Sequence, residues 1–160
     1  RGLGDVYKRQ LDARLRVHQE NADAIAVLLD EHAAVNQVYF PGLASHPGHA
    51  LAARQQKGFG AMISFELNGG EAAVRAFVDG LRYFTLAESL GGVESLIAHP
   101  ASMTHAAMTA EARAAAGISD GLLRLSVGIE SAEDLLIDLR AGLARAEAAL
   151  SAVARKQVDA

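Results

Sequence analysis

Residues 122–127 alternate between two sides, with Leu123, Leu125 and Val127 on one and Leu122, Arg124 and Ser126 on the other. Successive side chains of a strand point to opposite faces, so this period of two predicts a strand with one buried face. Residues 61–67 repeat the pattern, setting Ala61, Ile63, Phe65 and Leu67 against Met62, Ser64 and Glu66. Two such strands need a sheet with a core against one face, and the segments around them supply the cover. Residues 11–33 carry Leu15, Ala22, Ile25, Ala26, Leu28 and Leu29 at helical spacing, which predicts a long amphipathic helix. Residues 35–40 predict a short strand stopped by Pro41-Gly42. His46-Pro47-Gly48-His49 then opens a helix to about Lys57, with proline in a first turn where its missing N–H costs nothing.

Asn68-Gly69-Gly70 turns the chain into a helix over residues 71–81, with Glu71 against its N-terminal dipole. Extended pieces follow at 84–87 and 94–98, and Thr109 with Glu111 starts a short alanine-rich helix that Gly117 closes. Ser131 and Asp134 start the last helix, for which Leu136, Leu139, Leu143, Ala146 and Leu150 predict the buried stripe. Residues 151–160 lose that stripe and are expected to fray. Helices alternating with strands give an α/β fold in which helices cover a sheet.

A chain of 160 residues, 51% hydrophobic, has enough apolar material for one core. A net charge of −4 with lysine only at Lys8, Lys57 and Lys156 offers no basic face for nucleic acid. The absence of cysteine excludes disulfides, thiolate metal sites and a cysteine nucleophile. No run reaches the roughly 18 to 20 apolar residues that span a bilayer, and no secretory pattern opens the chain. The chain reads as soluble and cytoplasmic.

Three groups invite chemistry. Arg124 on its strand suits a bidentate grip on a carboxylate, which lysine cannot reproduce, or else a solvated surface pair. Ser89 lies where Ala87-Glu88-Ser89-Leu90-Gly91-Gly92 leaves a strand for a glycine-rich turn, and glycines let backbone approach a ligand. Without further context it is an ordinary turn serine. His46 with His49, and His99 with His105, lack the i, i+4 spacing and carboxylate companions of a helical zinc motif, so no metal site is expected.

The stretch from Phe84 through Glu88-Ser89-Leu90-Gly91-Gly92 to Ile97, the following Ala98-His99-Pro100-Ala101-Ser102-Met103-Thr104-His105, and the later Leu122-Leu123-Arg124-Leu125-Ser126-Val127-Gly128-Ile129-Glu130 share their order with one family. The chain resembles the pyridoxal-phosphate enzymes of cysteine and methionine metabolism, the cystathionine gamma-synthase family. The resemblance spans nearly all of residues 11–150 but only the C-terminal part of such an enzyme. It implies the small C-terminal domain of a fold-type-I enzyme: a mainly antiparallel sheet under helices at 34–150, a linker helix at 11–33 and a tail at 151–160. It also implies that Arg124 binds the substrate α-carboxylate, that Ser89 helps hold it, and that Glu88 stands at the pocket wall. An acid directly before the serine leans toward cystathionine-type substrates. The loop from Pro100 to His105 is implied to buttress the pocket, and Lys57-Gly58-Phe59-Gly60 to serve packing.

The implied activity is exchange of the acyl group of an O-activated homoserine for the thiol of cysteine, with the cofactor as electron sink. A cystathionine gamma- or beta-lyase and, outside enzymes, a stand-alone binding or assembly module are the alternatives. None of the three lysines has the neighbours of a Schiff-base lysine, and the resemblance implies that the catalytic and cofactor-binding residues lie in an upstream domain, with these residues alone expected to be inert. The family's members are commonly homotetramers acting on small amino-acid substrates. At the N-terminus, Arg1-Gly2-Leu3 fits the family pattern and Leu11 resumes it, whereas residues 4–10 look inserted, as a linker variant or an artefact.

Overall fold

The computed structural model describes residues 3–158, with side chains at 8–152 and 155. Its elements follow in the order α1 (Leu3–Asp30), β1 (Val35–Tyr39), α2 (His49–Gln55), β2 (Met62–Leu67), α3 (Gly70–Val78), β3 (Thr85–Leu86), β4 (Leu96–Ala98), α4 (Ala110–Ala115), β5 (Leu122–Ser126) and α5 (Ala132–Val158). The strands form one sheet in the order β1-β2-β5-β4-β3. Every neighbouring pair is antiparallel except β3 with β4. This is the α/β architecture that the alternation of helices and strands predicts, with the mainly antiparallel sheet that the family resemblance implies.

β5 lies in the middle, and its register puts Arg124 between Ser64 on β2 and Ala98 on β4. Paired residues of antiparallel strands share a face, so the guanidinium stem rises between two small neighbours. On the opposite face Ile63, Phe65, Leu123 and Leu125 are buried and join Ile25 and Leu29 of α1, Phe77 of α3 and Leu135, Leu139 and Leu143 of α5 in one core. Burying a side chain of this size stabilises by about 1.5–3 kcal/mol, so the helix-covered face dominates the stability. α3 and α5 meet closely at Gly142, where an added Cβ would lie 3.0 Å from the Phe77 ring and 3.1 Å from its carbonyl oxygen. Arg145 of α5 then closes α3, donating to the carbonyls of Ala76 at 3.0 Å and Phe77 at 2.9 Å.

Several boundaries depart from the sequence reading. α1 runs unbroken through residues 4–10, where an insertion is expected, and ends at Asp30. Arg1 and Gly2, the first two residues of the family pattern, lie outside the described residues. Leu11 and Leu15 are exposed, and the apolar stripe of α1 meets the core only from Ala22 onward. Pro47 precedes α2 rather than occupying its first turn, because successive turns led by Leu43, His46 and His49 N–H groups carry the chain there. The stripe of α5 begins at Leu135, not Leu136, and the helix continues to Val158, through most of the tail expected to fray. Thr109 caps α4 as predicted, its hydroxyl accepting from Ala112 N–H at 3.2 Å.

Candidate functional site

The face of the sheet turned away from the helices carries the polar side chains of β5. Arg124 donates from NH2 to the Ser89 carbonyl at 3.2 Å. Two residues along the same face, the Ser126 hydroxyl accepts the Gly91 N–H at 2.9 Å. β5 thus grips the 88–92 turn at alternate positions of both partners. Gly91 has a φ of +78°, left-handed backbone that a side chain would strain. The sequence-predicted residues Arg124 and Ser89 are brought into contact, and Glu88 is exposed beside them in the same turn. The Arg124 Nε is buried and has no hydrogen-bond partner among the described residues. A buried cationic N–H without an acceptor is costly, and an anion seated beside it relieves that cost.

α1 reaches the same turn. Arg14 Nη2 donates to the Gly91 carbonyl at 3.3 Å, and its Nε is also buried without a partner among the described residues. Further along that face, His18 Nδ1 donates to the Val127 carbonyl at 2.6 Å. Asn21 donates to the carbonyls of Gly128 at 3.0 Å and Glu130 at 2.9 Å. Glu130 in turn accepts from the Ser95 N–H at 2.7 Å and hydroxyl at 2.8 Å, while Ser95 Oγ accepts from Gly128 N–H at 2.8 Å. α1, the end of β5 and residues 91–95 are therefore one hydrogen-bonded unit.

Sequence reasoning passed over Arg14, His18 and Asn21. Their spacing of four and three places them on one helix face, and that polar row inside an amphipathic helix was the available signal. Asp138 was also missed. Its buried carboxylate accepts the N–H groups of Arg82, Tyr83 and Phe84 and so fixes the chain as it enters β3.

The histidines serve separate local bonds. His46 accepts from Gly48 N–H, while His49 donates to the Pro41 carbonyl and stacks on Phe59 at 5.3 Å. His99, buried, donates from Nε2 to the Asp120 carbonyl at 3.1 Å, which leaves Nδ1 of a neutral ring to accept the Ser102 hydroxyl at 2.7 Å. Among the described residues, no group of three or more potential ligands converges on a metal position. No helix among them is long and apolar enough to cross a membrane.

The chain is similar to known proteins over most of its length. The family described as Cys/Met metabolism PLP-dependent enzyme matches residues 8–144. Cystathionine gamma-synthase of Escherichia coli K12 is 59% identical over 134 residues, 84% of this chain and 35% of its own. Cystathionine beta-lyase of Lactococcus lactis is 56% identical over 135 residues, 84% of this chain and 35% of its own. The crystal structure of cystathionine gamma synthase from Xanthomonas oryzae pv. oryzae in complex with cystathionine is 93% identical, with a TM-score of 0.84. That match covers 88% of this chain and 36% of the other. The chain spans about a third of the length of these relatives.

The residues present do not by themselves fit pyridoxal phosphate. Holding it takes a desolvated lysine, a phosphate cradle and an acid at the ring nitrogen. Lys8 and Lys57 are exposed, and the side chain of Lys156 lies outside the described residues. What the described residues offer is the Arg124 guanidinium, bonded to the Ser89 carbonyl and with its Nε unpartnered among them.

Proposed function

The chain belongs to the Cys/Met metabolism PLP-dependent enzyme family, and from that premise we propose that it forms the α-carboxylate-binding wall of a cystathionine gamma-synthase. The whole protein replaces the acyloxy group of an O-acylhomoserine by the thiol sulfur of cysteine, giving cystathionine and the free acid. Arg124 holds the substrate α-carboxylate, the Ser89 turn borders it, and Glu88 stands at the pocket wall toward the distal end of the substrate. The observation that carries this reading is the unpartnered, buried Nε of Arg124 beside the Ser89 carbonyl. A carboxylate placed there takes parallel charge-assisted bonds and supplies the acceptor that the Arg124 Nε lacks. The 93% identity to a synthase crystallised with cystathionine favours the synthase over the lyases of the same family.

The cofactor and its covalent lysine belong to the remainder of the protein in this reading. The cofactor supplies the electron sink, and the residues described here bind and orient. A cytoplasmic homotetramer goes with the same reading.

The test uses the full-length protein. Arg124→Ala is expected to lower kcat/KM for the O-acylhomoserine by about 2–5 kcal/mol of transition-state binding. An unchanged kcat/KM in a folded variant refutes the grip. Measuring cystathionine formation against cystathionine cleavage separates synthase from lyase.

A further inference from the structure

The 88–92 turn is held from two directions by groups to which the proposed reaction gives no role. From β5, Ser126 Oγ takes the Gly91 N–H at 2.9 Å. From α1, Arg14 Nη2 donates to the Gly91 carbonyl at 3.3 Å. Both polar groups of one peptide residue are thereby engaged, by partners 112 positions apart in the chain. Ser126 is 3% exposed and its register partners are Met62 and Leu96, so its hydroxyl is fixed in place from both sides. The Arg124 bond to Ser89 lies two residues away on the same turn. Movement of Gly91 therefore moves the Ser89 carbonyl relative to the Arg124 guanidinium.

We propose that Ser126 and Arg14 are positioning residues that set the carboxylate site by clamping Gly91 from the sheet and from the linker helix. The inference rests on the α-carboxylate reading of Arg124. A clamp of this kind fixes the direction of the Arg124 fork without touching substrate. Bidentate recognition is sensitive to small misplacements, because both N–H groups must line up with both carboxylate oxygens. Arg14 also joins the site to α1, whose His18 and Asn21 bind the end of β5. A shift of that helix would reach the substrate site through Gly91.

The test is steady-state kinetics of the full-length enzyme with an O-acylhomoserine as varied substrate, in Ser126→Ala and Arg14→Met, each alone and combined with Arg124→Ala. Circular dichroism and thermal unfolding report whether each variant folds. Arg14 is partly exposed, so Arg14→Met supplies the result if Ser126→Ala does not fold. Each single variant is expected to raise KM about tenfold with little change in kcat, and Arg14→Lys to recover part of the loss. Neither is expected to add to the loss already caused by Arg124→Ala. Arg75→Ala, in an exposed pair with Glu71, serves as the control with unchanged kinetics. Unchanged KM in folded Ser126→Ala and Arg14→Met, beside a damaging Arg124→Ala, overturns this inference alone. Equal losses whether or not Arg124 is present overturn it as well, since a purely structural role adds independently. A harmless Arg124→Ala overturns both readings.

Discussion

The carboxylate of Asp138 on α5 accepts the Tyr83 N–H at 2.8 Å, a bond across 55 residues that ties the last helix to the approach of the site segment. The same carboxylate takes the Arg82 N–H at 2.9 Å and the Phe84 N–H at 3.4 Å. A single buried acid thus satisfies three backbone donors that no strand ladder reaches. The segment leading to Glu88 and Ser89 starts from a fixed point.

Asp138→Ala should therefore destabilise the protein by more than a typical surface change. Leaving buried donors unmet costs about 1–3 kcal/mol per group, and Asp138→Asn, which keeps one acceptor oxygen, should cost less. Urea denaturation of both variants checks the ranking. Equal stability to the parent would show that water replaces the carboxylate.

Glu130→Ala should loosen the connection between β5 and residues 91–95. The carboxylate accepts two bonds from Ser95, and bonds to charged groups contribute about 1.5–3 kcal/mol each. Faster amide exchange at Ser95 is the expected signature, with Gly128 affected through Ser95 Oγ. Protection unchanged at both positions would remove Glu130 from this role.

Gly142→Val should weaken the contact of α3 with α5. The added atoms meet the Phe77 ring and carbonyl at distances tighter than ordinary van der Waals contact, and overpacking of this kind costs about 1–3 kcal/mol. Gly142→Ala should cost less, since helix propensity favours alanine over glycine by about 0.8–1 kcal/mol. A lower thermal midpoint for Val than for Ala checks the order.

Arg124→Lys should recover little of the activity that Arg124→Ala loses in the full-length enzyme. An ammonium keeps the charge, but it cannot donate two parallel bonds to one carboxylate. Full recovery of kcat/KM by lysine would reduce the role of Arg124 to charge alone.

Residues 61–67 and 122–127 declared their strands and their inward faces because alternation is a local property of the chain. Ile63, Phe65, Leu123 and Leu125 are all at 0% exposure, as the pattern requires. Thr109 likewise declared a helix start through its own side chain. Leu15 misled, since the same spacing that buries Ile25 and Leu29 continues into a part of α1 that the core does not reach. Local pattern gives the face of a helix but not how far along it the partner extends.

The amino-acid sequence by itself determined the α/β class, the inward faces of the two alternating strands, and Arg124, Ser89 and Glu88 as candidates. Periodicity, capping and glycine turns act over a few residues, so they survive in a linear reading. The register of β5 between Ser64 and Ala98, the meeting of Arg124 with the Ser89 carbonyl, and the joint hold of Ser126 and Arg14 on Gly91 were decided by tertiary structure alone. Each contact joins residues separated by 26 to 77 positions, and no local preference encodes which distant partner a polar group finds. That choice follows only when burial of the helix-covered face fixes the sheet, and the outer face then places its polar side chains against the turn.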